Sequence, residues 1–311
     1  MSENINNEKI LKEKFKFIDK TNTESEKILR PSMSYWQDAW RRLKQNKVAI
    51  VALIILILIT ILTMIGPSIS GKNFAQVNNQ LINLAPSSEH WFGTDNLGRD
   101  LFSRIWMGGR VSIIIGLIGA VIDTVLGAIY GGVAGYFGGF IDDIMMRIVE
   151  ILLSIPYLIV VILVSLIFGQ GMFSLILAMT ITGWCGMARL VRGQILQIKE
   201  QEYVLAAAAL GASPARIIRK HLLPNTLGVI IVSITFDIPS FIFGEAFLSF
   251  IGLGIPSPST SWGALAAAAQ PNMLFYPYQL FFPALMISLT MLSFQLLGDG
   301  LRDALDPKLR Q

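Results

Sequence analysis

Asp123 and Asp237 are the residues in this sequence best placed to do chemistry. Each sits near the middle of a long apolar run, Val111–Tyr136 for the first and Thr226–Leu253 for the second. An ionised group at bilayer depth is costly and normally faces a partner or a wet cavity. Pro239, two residues after Asp237, frees a backbone carbonyl and favours a kink there. Two such carboxylates suit three roles: hydrogen bonding to a neighbouring helix, lining a substrate path, or relaying protons. Arg147, Glu150 and Glu245 lie nearer the ends of apolar runs, within snorkelling reach of an interface. Elsewhere the chemistry is sparse. His90 stands near Asp95 and Asp100 without metal-ligand spacing, and His221 and Cys185 are far away in sequence, so neither a metal cluster nor a disulfide framework is expected. No G-x-x-x-x-G-K-[ST] loop occurs, so this chain is not expected to hydrolyse ATP itself, and no cofactor is implied.

The elements that must position these carboxylates follow from composition. Of 311 residues only 15% are charged, against about 25% in a typical soluble protein. The mean hydropathy is +0.58, which places the chain among integral membrane proteins. A net charge of +4 would suit nucleic acid, but the lysines and arginines avoid the apolar runs and flank them, which excludes that reading. A spanning helix needs about 20 mostly apolar residues. Six runs qualify: Val48–Ile65, Val111–Tyr136, Ile148–Phe168, Met172–Ala188, Thr226–Leu253 and Tyr278–Leu297. The first thirty residues contain no apolar signal-peptide core, so the first run is expected to stay as an anchor. Lys72, Arg99, Arg104 and Arg110 would lie on one side of the membrane and the other 21 basic residues on the opposite side. The positive-inside rule then puts both termini in the cytoplasm.

Residues 1–33 read as a mostly disordered polar tail. The stretch after them places Trp36, Trp40 and Leu43 on one helical face, which suits a helix lying in the inner interface against membrane lipid. In the second run Gly127, Gly131, Gly135 and Gly139 recur every four residues and form a ridge for close helix approach. In the outer loop Gly93, Asp95, Asn96 and Gly98 are turn formers, so that loop is expected to be folded. Gly252, Gly254, Pro256 and Pro258 end the fifth run, and Trp262 suits the outer aromatic belt. Gly298-Asp299-Gly300 is expected to stop the last span, before a short helix with Leu301, Ala304 and Leu305 on its apolar face.

The segment Arg189–Asn225 is long for a cytoplasmic connection. An alanine-rich helix containing Ala206 and Ala207 should stop at Gly211, a good residue just past a helix end. After Ala212, Ser213 is a natural N-cap with Pro214 at the first helical position, so a second helix over Ala215–Leu222 begins at once and ends before Pro224. Arg216, Arg219 and Lys220 stand beside Ile217 and Ile218 on that helix. Two short helices meeting at a glycine make a knob shaped to enter a groove on a partner; an amphipathic loop on lipid headgroups is the alternative.

This segment resembles the cytoplasmic motif of permease subunits from binding-protein-dependent, ATP-driven importers: Glu-Ala-Ala, three residues, Gly, nine residues, then Ile-x-Leu-Pro. Ala206-Ala207, Gly211 and Leu223-Pro224 match at the right spacing, while Leu205 replaces the glutamate and His221 the isoleucine. Three further stretches, His90–Asp100, Glu245–Gly254 with Ser261-Trp262-Gly263, and Gly298–Pro307, are similar to the second permease of oligopeptide and dipeptide importers, the OppC/DppC type. The likeness covers about residues 34–311.

The resemblance implies an all-α integral membrane protein with six transmembrane helices, the type I ABC importer permease fold, and a coupling helix between spans 4 and 5. Its divisions would be a cytoplasmic tail with an interfacial helix (1–47), a first span (48–66), an extracytoplasmic loop (67–109), a five-helix transport domain with its coupling loop (110–299) and a cytoplasmic C-terminus (300–311). Ala206, Ala207, Gly211, Ala212, Ser213, Pro214, Arg216, Leu223 and Pro224 would carry the coupling to the ATPase, and Asp123 and Asp237 are candidates for the translocation path. The implied partners are a second homologous permease, two ATPase subunits binding ATP and magnesium, an extracytoplasmic peptide-binding protein and the peptide itself. The chain would then be a non-enzymatic subunit in the bacterial plasma membrane. Two rivals are a nickel or antimicrobial-peptide importer of the same family, and a proton-coupled transporter using Asp123 and Asp237.

Overall fold

The computed structural model describes residues 34–306; the expected disordered tail falls outside them. The chain divides into two units at Asp38, and the described part of the first is the opening turn of helix α1 (Tyr35–Gln45). Ser34 and Gln37 close that turn as a reciprocal capping box, side chain to backbone in both directions. Trp36 and Trp40 stay half exposed while Ala39 and Leu43 are buried.

All regular elements among the described residues are helical. α2 (Lys47–Ser70) starts at Asn46, whose side chain accepts from Ala49 N at 3.1 Å, and ends at Gly71. α3 (Leu101–Phe137) begins ten residues before the expected span because Asp100 caps it, accepting from Ser103 N at 2.9 Å. α4 (Gly139–Ser154) and α5 (Tyr157–Phe168) replace the single third span expected over Ile148–Phe168 and meet at a bend of 80°. Pro156 is the cause: it offers no N–H to the ladder and holds Ile155 in an extended conformation. α6 (Met172–Ile198) runs a further ten residues beyond Ala188. Among the described residues, five helices are long and apolar enough to cross a membrane, six if the bent pair is one span.

The segment after α6 forms α7 (Glu202–Ala209), α8 (Pro214–Ile217), a π-turn (Ile218–Leu222) and α9 (Leu223–Phe250). The second short helix therefore does not end before Pro224. It runs through the π-turn into the fifth span, because the wider turn accommodates a proline that cannot bond one turn back. α10 (Trp262–Ala269) follows, and α11 (Pro277–Leu305) is unbroken. The expected stop at Gly298–Gly300 is corrected: these glycines are contact points. A Cβ on Gly298 would meet Thr235 and Phe236 of α9, and one on Gly300 would meet Ala49 of α2. Each glycine weakens the helix by about 1 kcal/mol relative to alanine, and close packing offsets that cost.

α3 and α6 form the main pair. A side chain on Gly127 would collide with Met187 and one on Gly131 with the carbonyl of Ala188, while one on Gly135 would press tightly on Arg192 and Ile195. The four-residue glycine ridge therefore does what its spacing predicts, except at Gly139, which lies in open space beyond the end of α3. Arg192 clamps the same end: its Nε and an Nη each donate to Asp142 of α4 at 2.5 Å. Leu301, Ala304, Leu43 and Ala49 pack together, so the expected C-terminal apolar face lies on α1 and α2. Ile54, Ile57, Leu58 and Ile61 on α2 remain exposed, an apolar surface suited to lipid.

Residues 71–100 are ordered by side chains. Asp95 Oδ1 accepts from the N–H groups of Leu97 and Arg99 at 2.9 Å, and its Oδ2 takes Arg99 Nε at 2.7 Å with Arg104 Nε at 3.4 Å. His90 Nδ1 lies 2.9 Å from Asp100 Oδ1, with Lys72 Nζ 3.9 Å from the same oxygen. No three His, Cys, Asp or Glu among the described residues could hold a metal ion. His90 is a loop-ordering residue.

Candidate functional site

Two places combine exposed or unpartnered groups with precise backbone support. The first is the connection from α6 to α9. The alanines of α7 give it propensity without bulk, and it stops in a Schellman motif: Gly211 N donates to Ala208 O at 3.0 Å and Ala212 N to Ala207 O at 3.1 Å. Gly211 has φ +80°, a conformation that favours glycine. Ser213 and Pro214 open α8 as their types predict, although the Ser213 side chain makes no capping bond. Val204, Ile217 and Leu222 are buried against Val191 and Ile195 of α6, so the turn has one seated face. Its other face is free. Ala206, Gly211, Ser213, Pro214, Arg216 and Pro224 are exposed, and Ala207, Ala212 and Leu223 are half-buried. Leu210 is 88% exposed. Ser213, Ala215, Arg216, Arg219, Lys220 and Pro224 line an open, basic hollow of about 660 Å³. A small-residue tip beside three cations is a docking shape, rigid on its inner side and stripped of bulk on its outer side.

The second place is within the bundle. Asp123 of α3 and Asp237 of α9, far apart in sequence, line one cleft of about 330 Å³ with Tyr157 of α5, Met179 of α6, Ser240 and Phe241. Asp123 is only 4% exposed, and its Oδ1 has no hydrogen-bond donor. Gly183 makes room for it, since any Cβ there would overlap the Asp123 carboxylate.

Sequence reasoning found both aspartates but not the residues that complete their surroundings. Tyr157 and Gly183 carry no local signal, because only the packing of α5 and α6 brings them in. Glu245 and Trp262 require correction. Glu245 does not snorkel; it is fully buried and accepts from Ser112 Oγ at 3.1 Å, Ser249 Oγ at 2.7 Å and Ser261 Oγ at 2.5 Å. Ser261 also caps α10, accepting from Ala264 N. Trp262 is likewise in the core rather than an aromatic belt, its Nε1 donating to Ile105 O at 2.9 Å. The available clue was the set of hydroxyls at Ser112, Ser249 and Ser261, which supplies the partners a buried carboxylate needs. This network fixes α10 to α3 and α9 and leaves the cleft to the two aspartates.

Comparison with known proteins agrees with this architecture. Residues 124–311 match the family described as binding-protein-dependent transport system inner membrane component. Residues 34–86 match the N-terminal TM domain of oligopeptide transport permease C. The chain is 53% identical over 291 residues to the dipeptide transport system permease protein DppC of Bacillus subtilis, covering 93% of this chain and 91% of that one. To the oligopeptide transport system permease protein OppC of the same organism it is 48% identical over 288 residues, covering 93% and 94%. To OppC of Haemophilus influenzae it is 42% identical over 296 residues, covering 94% and 95%. Its fold is similar to that of the inward-facing MetNI methionine ABC transporter, with a TM-score of 0.54, 21% identity, and coverage of 65% of this chain and 97% of that one. A multi-pass membrane protein with the fold of an ABC importer permease, this chain belongs to the family of binding-protein-dependent transport system inner membrane components.

Proposed function

We propose that this chain is one of two permeases forming the path of an ATP-driven importer of peptides, in the plasma membrane with both termini in the cytoplasm. The observation that carries the reading is the seated, small-residue turn from α7 through Gly211 to α8, which continues without a break into a spanning helix. A partner that moves this turn moves α9 directly. Ala206, Ala207, Gly211, Ala212, Ser213, Pro214, Arg216, Leu223 and Pro224 would form the contact with an ATPase subunit, and the energy source lies in that partner. Peptide is the favoured cargo because the three relatives described above are named for dipeptide and oligopeptide transport. Asp123 and Asp237 would line the path taken by the peptide between this permease and a homologous one, after delivery by an extracytoplasmic binding protein.

Affinity purification of the tagged chain from membranes should bring down a second permease and two ATPase subunits. The reconstituted assembly with its binding protein should take up labelled dipeptide only when ATP is supplied to the ATPase side. Uptake that needs a proton gradient instead of ATP, or purification of the chain without an ATPase, would sink this reading.

A further inference from the structure

We infer that the cleft between α3, α5, α6 and α9 is a binding site for an organic ammonium group, which the peptide's own amino terminus supplies. The inference rests on the peptide-permease reading and names the part of the substrate this subunit holds. Two carboxylates, Asp123 and Asp237, face one cleft, and no lysine, arginine or histidine lines it. No ion pair to either carboxylate occurs among the described residues. Asp123 is 96% buried by its 4% exposure and Oδ1 is without a donor. A buried carboxylate oxygen left in that condition is expensive unless a cation or donor visits it. Elsewhere among the described residues the buried acids have partners: Glu245 has three serine hydroxyls and Asp142 has Arg192. The exception sits in a cavity, and Gly183 keeps it clear.

The lining chooses among cations. A metal ion would want three or more acidic, histidine or cysteine ligands, and no such group occurs among the described residues. Here the two acids are accompanied by the rings of Tyr157 and Phe241, the thioether of Met179 and the hydroxyl of Ser240. Carboxylates against aromatic and aliphatic walls suit an alkylammonium, whose three N–H donors meet the oxygens while its carbon side rests on the rings. Every unblocked peptide carries one such group at its first residue; lysine side chains carry another.

The test is equilibrium binding of radiolabelled Ala-Ala to the assembled permease–ATPase complex in nanodiscs, with the binding protein left out so that its preferences play no part. Competitors are unlabelled Ala-Ala, N-acetyl-Ala-Ala and N-acetyl-Ala-Lys. N-acetyl-Ala-Ala should compete about tenfold or more worse than Ala-Ala, the loss of one charge-assisted hydrogen bond. In D237N, and independently in D123N, Ala-Ala affinity should fall by a similar factor and the difference between the two competitors should shrink. Strong competition by N-acetyl-Ala-Lys would support a site for any ammonium, and weak competition a site for the α-amino group. Equal competition by Ala-Ala and N-acetyl-Ala-Ala in the wild type would overturn the inference, as would absence of Ala-Ala binding or unchanged affinity in both variants. A general loss of binding for blocked and free peptides alike would also overturn it, marking the carboxylates as structural. ATP-dependent uptake by the wild-type importer is read separately, so its failure indicts the transport reading and not the site.

Discussion

At the scale of single residues, two groups should answer sharply to substitution for different physical reasons. Gly211 has no neighbour that a Cβ would strike, but its φ of +80° is left-handed. Gly211→Ala should therefore cost about 1–2 kcal/mol at this turn. The cost falls on the Schellman closure, so the reading is loss of ATPase retained on affinity purification, with normal amounts of permease in the membrane. Wild-type retention would show that the turn tolerates the strain. Glu245 is the reverse case, a buried acceptor for three hydroxyls at the meeting point of α3, α9 and α10. Glu245→Ala leaves three buried donors unserved and should lower stability by about 3 kcal/mol or more, and Glu245→Gln by less. Melting temperatures of the detergent-solubilised protein check this; an unchanged value for the alanine variant would contradict the network's role.

At the scale of elements, the α3–α6 pair depends on absent side chains, and one ion pair ties α6 to α4. Gly131→Leu would drive a side chain into the carbonyl of Ala188 and should prevent the two helices from seating, with little folded protein recovered after solubilisation. Arg192→Ala removes both donors to the buried Asp142 and should cost about 1–3 kcal/mol. Lysine there should restore only part of the loss, since it lacks the two-pronged geometry. Thermal melts of the three proteins give the order. The elements also show what a sequence can and cannot reveal. The spans, the glycine ridge from Gly127 to Gly135 and the stop at Gly211 were legible because each is written within one helix, by hydropathy, spacing or a backbone requirement. The break before Pro156 was signalled by the proline, yet a continuous apolar run concealed it. The run through Gly298 and Gly300 was not legible, because those glycines answer to Thr235 and Ala49, residues on other helices. Glu245 and Trp262 were misplaced for the same reason: their partners lie up to 157 positions away. The two cleft aspartates were legible as anomalies, but their shared cavity with Tyr157 was set by packing alone.

At the scale of the whole molecule, the question is how motion at an exposed turn could reach a cleft inside the bundle. The path is short in structural terms. α8 and the π-turn run into α9, and α9 carries Asp237 on one wall of the cleft and Glu245 beneath α10. The inner face of the turn is seated on α6 through Ile217 and Leu222, and α6 carries Met179 on another wall. A push on the tip is thus delivered to two of the four helices that bound the cleft, and stiffness along that path is the requirement. Inserting Gly-Gly between Pro224 and Asn225 should break the stiffness while leaving every residue of the docking surface, Ala206 through Pro224, chemically untouched. ATPase subunits should still co-purify and hydrolyse ATP in the reconstituted assembly, yet peptide uptake per ATP should fall to background. Replacing exposed Asn225 by alanine, a change in the same region that keeps the register, should transport normally. Undiminished uptake with the insertion would mean that force reaches the cleft by another route, because a flexible joint at that point cannot transmit a push along α9.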